Sequence, residues 1–152
     1  MRKLACLLLS LVIFAACNNV RDNTTNKVVI PIQGTWKLLS GTLIEKGDTT
    51  VTDYTKATSF IKVINATHFA FLSHAVNKDS AASFSAGGGK YSLKDSQYTE
   101  HLEYCSDRQW EGNDFPFTIT IHNDTLIQQG VEKIDSIGVN RLNIEKYVRV
   151  KD

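Results

Sequence analysis

From Gly34 onward, β-branched and aromatic residues recur in short runs that alternate with polar positions, and clusters of Gly, Asn and Asp separate the runs. That pattern predicts many short strands and an all-β fold. The expected strands are Thr35 to Glu45, Ser59 to Ile64, His68 to Ala75, Ala82 to Ala86, Lys90 to Lys94, Gln97 to Cys105, Phe117 to His122, Thr125 to Lys133 and Asn140 to Val150. Turns fall at Lys46-Gly47-Asp48, Asn65-Ala66, Lys94-Asp95, Asn123-Asp124 and Asp135 to Gly138, with Asn123-Asp124 the sharpest hairpin signal. No segment keeps an amphipathic helical period beyond about three turns, although Asp107 to Asn113 suits a helical turn. Gly87-Gly88-Gly89 lacks the helix start and Lys-Ser/Thr of a phosphate loop and reads as a hairpin turn or bulge. Regularly spaced short strands imply a sandwich or barrel.

The N-terminal segment has a different pattern. Basic Arg2 and Lys3 precede an uncharged apolar run from Leu4 to Ala16, and polar Asn18, Asn19, Arg21 and Asp22 follow Cys17. The run is shorter than the roughly 20 residues of a permanent span and has the anatomy of an export signal. Ile13-Phe14-Ala15-Ala16-Cys17 resembles the bacterial lipobox, with Phe14 where an aliphatic residue is usual. The resemblance implies a signal peptide at 1–16 and a lipid on Cys17. The alternative is ordinary cleavage after Ala16 that leaves a plain thiol. Residues 17–32, rich in Asn, Thr and charges, suit a flexible tether, and 33–152 form the domain. Asn18 after the cysteine suits outer-membrane sorting, with the periplasmic side or the cell surface left open.

Cleavage after Ala16 takes the basic residues from 17 to 15 against 16 acids, without any block of like charge, so nucleic acid is not an expected partner. Cys6 lies in the discarded segment and Cys17 would be acylated, so Cys105 remains alone and no intramolecular disulfide is expected. Its position at a strand end suits burial as a small apolar side chain.

Three segments, in order, carry a family resemblance. Gly34-Thr35-Trp36-Lys37-Leu38 looks like the Gly-x-Trp opening of lipocalin-like barrels, and Glu145-Lys146-Tyr147-Val148-Arg149-Val150 looks like their closing strand. Between them, Gly88 to Leu93 followed by Tyr98 to Tyr104 is similar to a lipocalin-like family of bacterial envelope lipoproteins. The resemblance implies an up-and-down antiparallel β-barrel of about eight strands, with Arg149 lying across Trp36, and supplies no activity.

Strand alternation then nominates an interior. Glu145, Tyr147 and Arg149 share one face of the last strand, so an inward Arg149 brings Glu145 with it. Tyr98, Glu100, Leu102 and Tyr104 share a face of their strand, mixing aromatic bulk with one carboxylate as a cavity wall would. The ligand-binding candidates are therefore Trp36, Tyr98, Glu100, Tyr104, Glu145 and Arg149. The alternative is that the same residues form a structural network closing a filled barrel. His68 and His74 lie on one strand face and cannot be oriented, and adjacent Glu100 and His101 face opposite sides, which makes them a poor catalytic pair. No catalytic set, metal set or cofactor motif is expected. Asp48-Thr49, Asp79-Ser80, Asp124-Thr125 and Asp135-Ser136 resemble a periplasmic O-glycosylation motif and equally suit plain turn chemistry.

The expected function is a monomeric, non-enzymatic envelope lipoprotein, held at the membrane by its lipid and binding a small apolar or amphipathic ligand in the barrel. The alternative is an interaction module that recognises a protein or glycan through its outer face or loops, with Trp110 and Phe115 of Ser106 to Pro116 as the contact.

Overall fold

The computed structural model describes residues 31–78 and 84–151. The signal segment, Cys17, most of the tether, Ala82-Ser83 and Asp79-Ser80 lie outside the described residues.

Nine strands follow one another: β1 (Gly34–Glu45), β2 (Asp48–Asp53), β3 (Thr58–Ile64), β4 (His68–Ala75), β5 (Ser85–Lys94), β6 (Gln97–Cys105), β7 (Asp114–His122), β8 (Thr125–Ile134) and β9 (Val139–Arg149). Each pairs antiparallel with its neighbour from β3 to β9, and β1 pairs with both β3 and β9, which closes an eight-stranded barrel. The fold is the lipocalin-like up-and-down barrel that the sequence leads one to expect. Closure pairs both edges of β4 to β9, and β2, which pairs with β1 alone among the described residues, keeps an outer edge.

Two features depart from the strand pattern. The polar segment Asp48–Asp53 is a strand, β2, which pairs with Ser40–Glu45 where β3 has moved away from β1. It is exposed along its whole length, so it carries no apolar alternation to betray it. The runs expected before and after the triple glycine are one strand, β5, and Gly87 to Gly89 lie within it. A Cβ on Gly89 would run into the His101 carbonyl oxygen, so the bare backbone there permits close strand contact.

The turns have local causes. The Asn65 Oδ1 accepts from the Thr67 and His68 amides at 2.8 and 2.7 Å, which reverses the chain between β3 and β4. Lys46, Asp95 and Asn123 take positive φ in the two-residue hairpins. Residues Arg108–Trp110 form a short 3₁₀ helix, capped by the Asp107 carboxylate accepting from the Gln109 amide.

The two ends of the barrel differ. At the base, where the chain enters and leaves, Trp36 is wholly buried with Leu38, Ile64, Phe69, Ile119, Leu126 and Tyr147. Trp36 Nε1 donates to the Ile32 carbonyl at 2.8 Å, and the Arg149 guanidinium lies 4.0 Å from the Trp36 ring centroid. Arg149 also donates to the Gln33 and Pro31 carbonyls at 2.7 and 2.6 Å. Ile32, assigned to the tether by composition, is 2% exposed and belongs to this core, so the packed domain includes Ile32. At the opposite end, the C-terminal end of β4, the start of β5 and the connections between β6 and β7 and between β8 and β9 border the mouth.

Candidate functional site

Two β-bulges decide which side chains enter the barrel. In β1, Leu38 pairs with Tyr147 and Ser40 with Lys146, so Leu39 is an extra residue. Past it the inward set changes from Trp36 and Leu38 to Gly41 and Leu43. In β6, Leu102 pairs with Gly89 and Tyr104 with Gly88, which makes Glu103 the extra residue. The parity shift turns Cys105 inward and leaves Tyr104 outside at 69% exposure. Tyr104 is therefore not part of the interior wall, contrary to simple alternation.

Above the apolar base is a charged cluster. The Lys62 side chain, 3% exposed, donates from Nζ to Glu100 Oε1 at 2.7 Å and to Gln128 Oε1 at 3.1 Å. Its Nζ lies 3.7 Å from Glu145 Oε2, which accepts from the Tyr147 hydroxyl at 2.7 Å. The ammonium also lies over the Tyr147 ring, 5.2 Å from its centroid. β3 carries Lys62 inward because Phe60 and Ile64 on the same face pack into the core. Gln128 and Glu145 are cross-strand partners on β8 and β9.

Burial presses the Lys62 pKa down, but the Glu100 and Glu145 carboxylates outweigh burial and the net direction is up, so the ammonium stays charged. Burial raises the Glu100 pKa, with the Lys62 charge and hydrogen bond opposing it. Gln128 Nε2 is buried and has no hydrogen-bond partner among the described residues. Its orientation follows from Lys62, since the amide oxygen must face the ammonium and the nitrogen must point elsewhere. The Tyr98 hydroxyl is also buried, beside the Glu100 carboxylate but outside hydrogen-bond geometry.

Higher in the barrel, Glu132 of β8 faces its cross-strand partner Arg141 of β9. Arg141 Nε donates to Glu132 Oε2 at 2.6 Å and Asn143 Nδ2 donates to Glu132 Oε1 at 2.8 Å. The Arg141 guanidinium lies 5.1 Å from the Trp110 ring centroid, and Trp110 packs on Phe115 at 5.7 Å. Phe115 is buried and Trp110 half-buried, so Ser106 to Pro116 turns this aromatic pair inward while Ser106 to Gln109 stay exposed.

These groups surround a cavity of about 280 Å³. Its floor carries Lys62, Glu100, Gln128 and Glu145; aromatic walls come from Tyr54, Phe60, Phe71, Trp110, Phe115 and Phe117; and exposed Thr52, Ser85 and Asp107 mark its mouth. Of the residues nominated from sequence, Glu100 and Glu145 line it. Trp36, Tyr98 and Arg149 lie outside its lining: Trp36 and Tyr98 are wholly buried, and Arg149 closes the base over Trp36. Sequence reading missed Lys62, Gln128, Glu132, Arg141 and Asn143. The signal for Gln128 and Glu132 was present in the β8 alternation of Leu126, Gln128, Gly130, Glu132 and Ile134, polar in the middle and apolar at both ends. Among the described residues, no three His, Cys, Asp or Glu side chains come together as a metal-binding group.

Residues 31–152 match the model of a family described as a domain of unknown function, DUF4488. The chain belongs to that family. Its match begins at Pro31 and covers every strand, so the family spans the whole described barrel. No curated relative matches the sequence.

The buried phenols of the family's barrel give a pH prediction. Burial first, and the Glu145 carboxylate with it, raises the Tyr147 pKa well above its ordinary value; burial and Glu100 raise Tyr98. A raised folded pKa favours the protonated form. The stability it contributes is complete below about pH 10, the unfolded value, and is lost as pH rises through the folded values. Ultraviolet titration should therefore show Tyr98 and Tyr147 ionising only as the fold is lost, in step with the circular dichroism transition. Ionisation of all five tyrosines near their ordinary value, with the fold intact, would contradict the buried network.

Proposed function

We propose that this protein is a monomeric, non-enzymatic lipoprotein of the bacterial cell envelope that holds one small amphipathic molecule in its barrel. The observation that carries the reading is the cavity, in which aromatic walls stand over a hydrogen-bonding floor. Its volume is near the lower end of the range for small-molecule sites and about twice that of an apolar cavity that admits benzene. The unpartnered Gln128 nitrogen supports the same reading, since leaving a buried donor unmade costs about 1–3 kcal/mol. The Lys62 ammonium, held charged between carboxylates, serves as a donor and not as a nucleophile.

The envelope assignment rests on the basic start, the apolar run and Cys17 after two alanines, together with the resemblance to lipocalin-like envelope lipoproteins. Asn18 favours the outer membrane as the destination. An interaction module is the second reading. In its favour, Tyr104 and Phe84 are exposed on the outer surface, Tyr104 beside a groove over Gly87 to Gly89.

Native mass spectrometry of the protein extracted from its host membrane tests the first reading. The expected result is a single small molecule per chain, released on unfolding, on a chain whose N-terminus is a diacylated Cys17. A chain that carries no retained molecule and binds none of a panel of small amphipaths would overturn the carrier reading.

A further inference from the structure

The charges on the cavity lining do not balance. Glu100, Glu132 and Glu145 face two cations, and each cation is committed: Lys62 is bonded to Glu100 at 2.7 Å and Arg141 to Glu132 at 2.6 Å. Glu145 is left with the 3.7 Å approach of Lys62 and the Tyr147 hydroxyl, both on Oε2, and its other oxygen has no hydrogen bond among the described residues. Its cross-strand partner Gln128 carries an Nε2 donor that is unmade among the described residues. A carboxylate ligand would bring a third carboxylate to a floor whose ammonium is already taken. An ammonium ligand would suit Glu145 but would set donor against donor at Gln128. A hydroxyl oxygen accepts from Gln128 Nε2 while its O–H donates to Glu145, and it adds no charge.

We infer that the cavity takes a small amphipathic alcohol, its hydroxyl on Gln128 and Glu145 and its apolar part against Phe60, Phe71 and Phe115. This rests on the carrier reading and names the class of ligand within it. Asp107 at the mouth adds a further negative charge and acts against anions in the same direction.

The test is isothermal titration calorimetry of the full chain in nanodiscs at neutral pH and low salt, with empty nanodiscs as the blank. Matched sets on two skeletons, phenylethyl and hexyl, present the alcohol, the amine and the carboxylate. The alcohol is expected to bind at least about tenfold more tightly than either charged analogue. Glu145→Gln should narrow the gap between alcohol and carboxylate, an outcome read as a ratio and independent of any uniform loss of affinity. A carboxylate or an amine that binds as tightly as the alcohol would overturn the alcohol assignment and leave the carrier reading standing. Failure of every compound on both skeletons, in a chain that also retains no molecule from its host, would overturn the carrier reading itself.

Discussion

Replacing Lys62 with alanine is expected to destabilise the protein by about 3–5 kcal/mol at neutral pH, the usual consequence of leaving a buried charge without its partner. Glu100 would lose its 2.7 Å ion pair, Gln128 its amide-oxygen bond and Glu145 its nearest cation. Urea denaturation followed by circular dichroism measures the loss, and a midpoint equal to that of the wild type would show that the cluster contributes nothing. The pH dependence identifies the cause. Burial already raises the Glu100 pKa with Lys62 in place, and removing the cation raises it further. A carboxylate with a raised folded pKa favours the fold only while protonated, so the deficit is full above the folded pKa and shrinks as pH falls through it toward the ordinary value of about 4.3. A deficit independent of pH would point to lost packing alone. The double variant Lys62→Met with Glu100→Leu removes both charges and is expected to lose less than the sum of the two single changes.

Trp36→Ala should have an effect of similar size, about 3–5 kcal/mol, through a different mechanism. The indole is wholly buried at the barrel base, where it packs with the core, donates to the Ile32 carbonyl and carries the Arg149 guanidinium on its face. Truncation leaves a cavity and leaves Arg149 without its aromatic support. The loss should persist across the pH range in which Lys62→Ala is sensitive, since it comes from the lost packing of an uncharged indole. Trp36→Phe should fall between, keeping a ring under Arg149 but losing the indole N–H. Thermal unfolding of the two variants tests the order; an alanine variant as stable as the phenylalanine one would remove the base plug from the account.

Much of the fold could be read locally because its causes are local. The Asn123-Asp124 hairpin is set by backbone chemistry that the two residues carry with them, and His68 to Ala75 and Gln97 to Cys105 coincide with the observed strands because turns bound both. Strand β2 escaped because both its faces meet solvent, so burial left no alternation in Asp48–Asp53. The contact of Arg149 with Trp36 followed from the family resemblance, and the register of β9 on β1 realises it.

The candidate site divides in the same way. Glu100 and Glu145 could be nominated because each lies on a strand face with large apolar neighbours. Tyr104 was misplaced because a bulge is a property of two strands together: the extra residue at Glu103 exists only in relation to Gly88 and Gly89 of β5. Lys62 shows the limit most clearly, since a lysine between Ile61 and Val63 reads as an outward, solvated charge in its own strand. It turns inward because Phe60 and Ile64 hold its face in the core, and three other strands bring Glu100, Gln128 and Glu145 to meet it. The sequence by itself determined the strand alternation, the turns and the aromatic supply of the interior, which depend on residues near one another in the chain. Only the tertiary structure decided which charges face each other across the barrel and which are left over, because pairing between distant strands sets the local solvation and field that a buried charge meets.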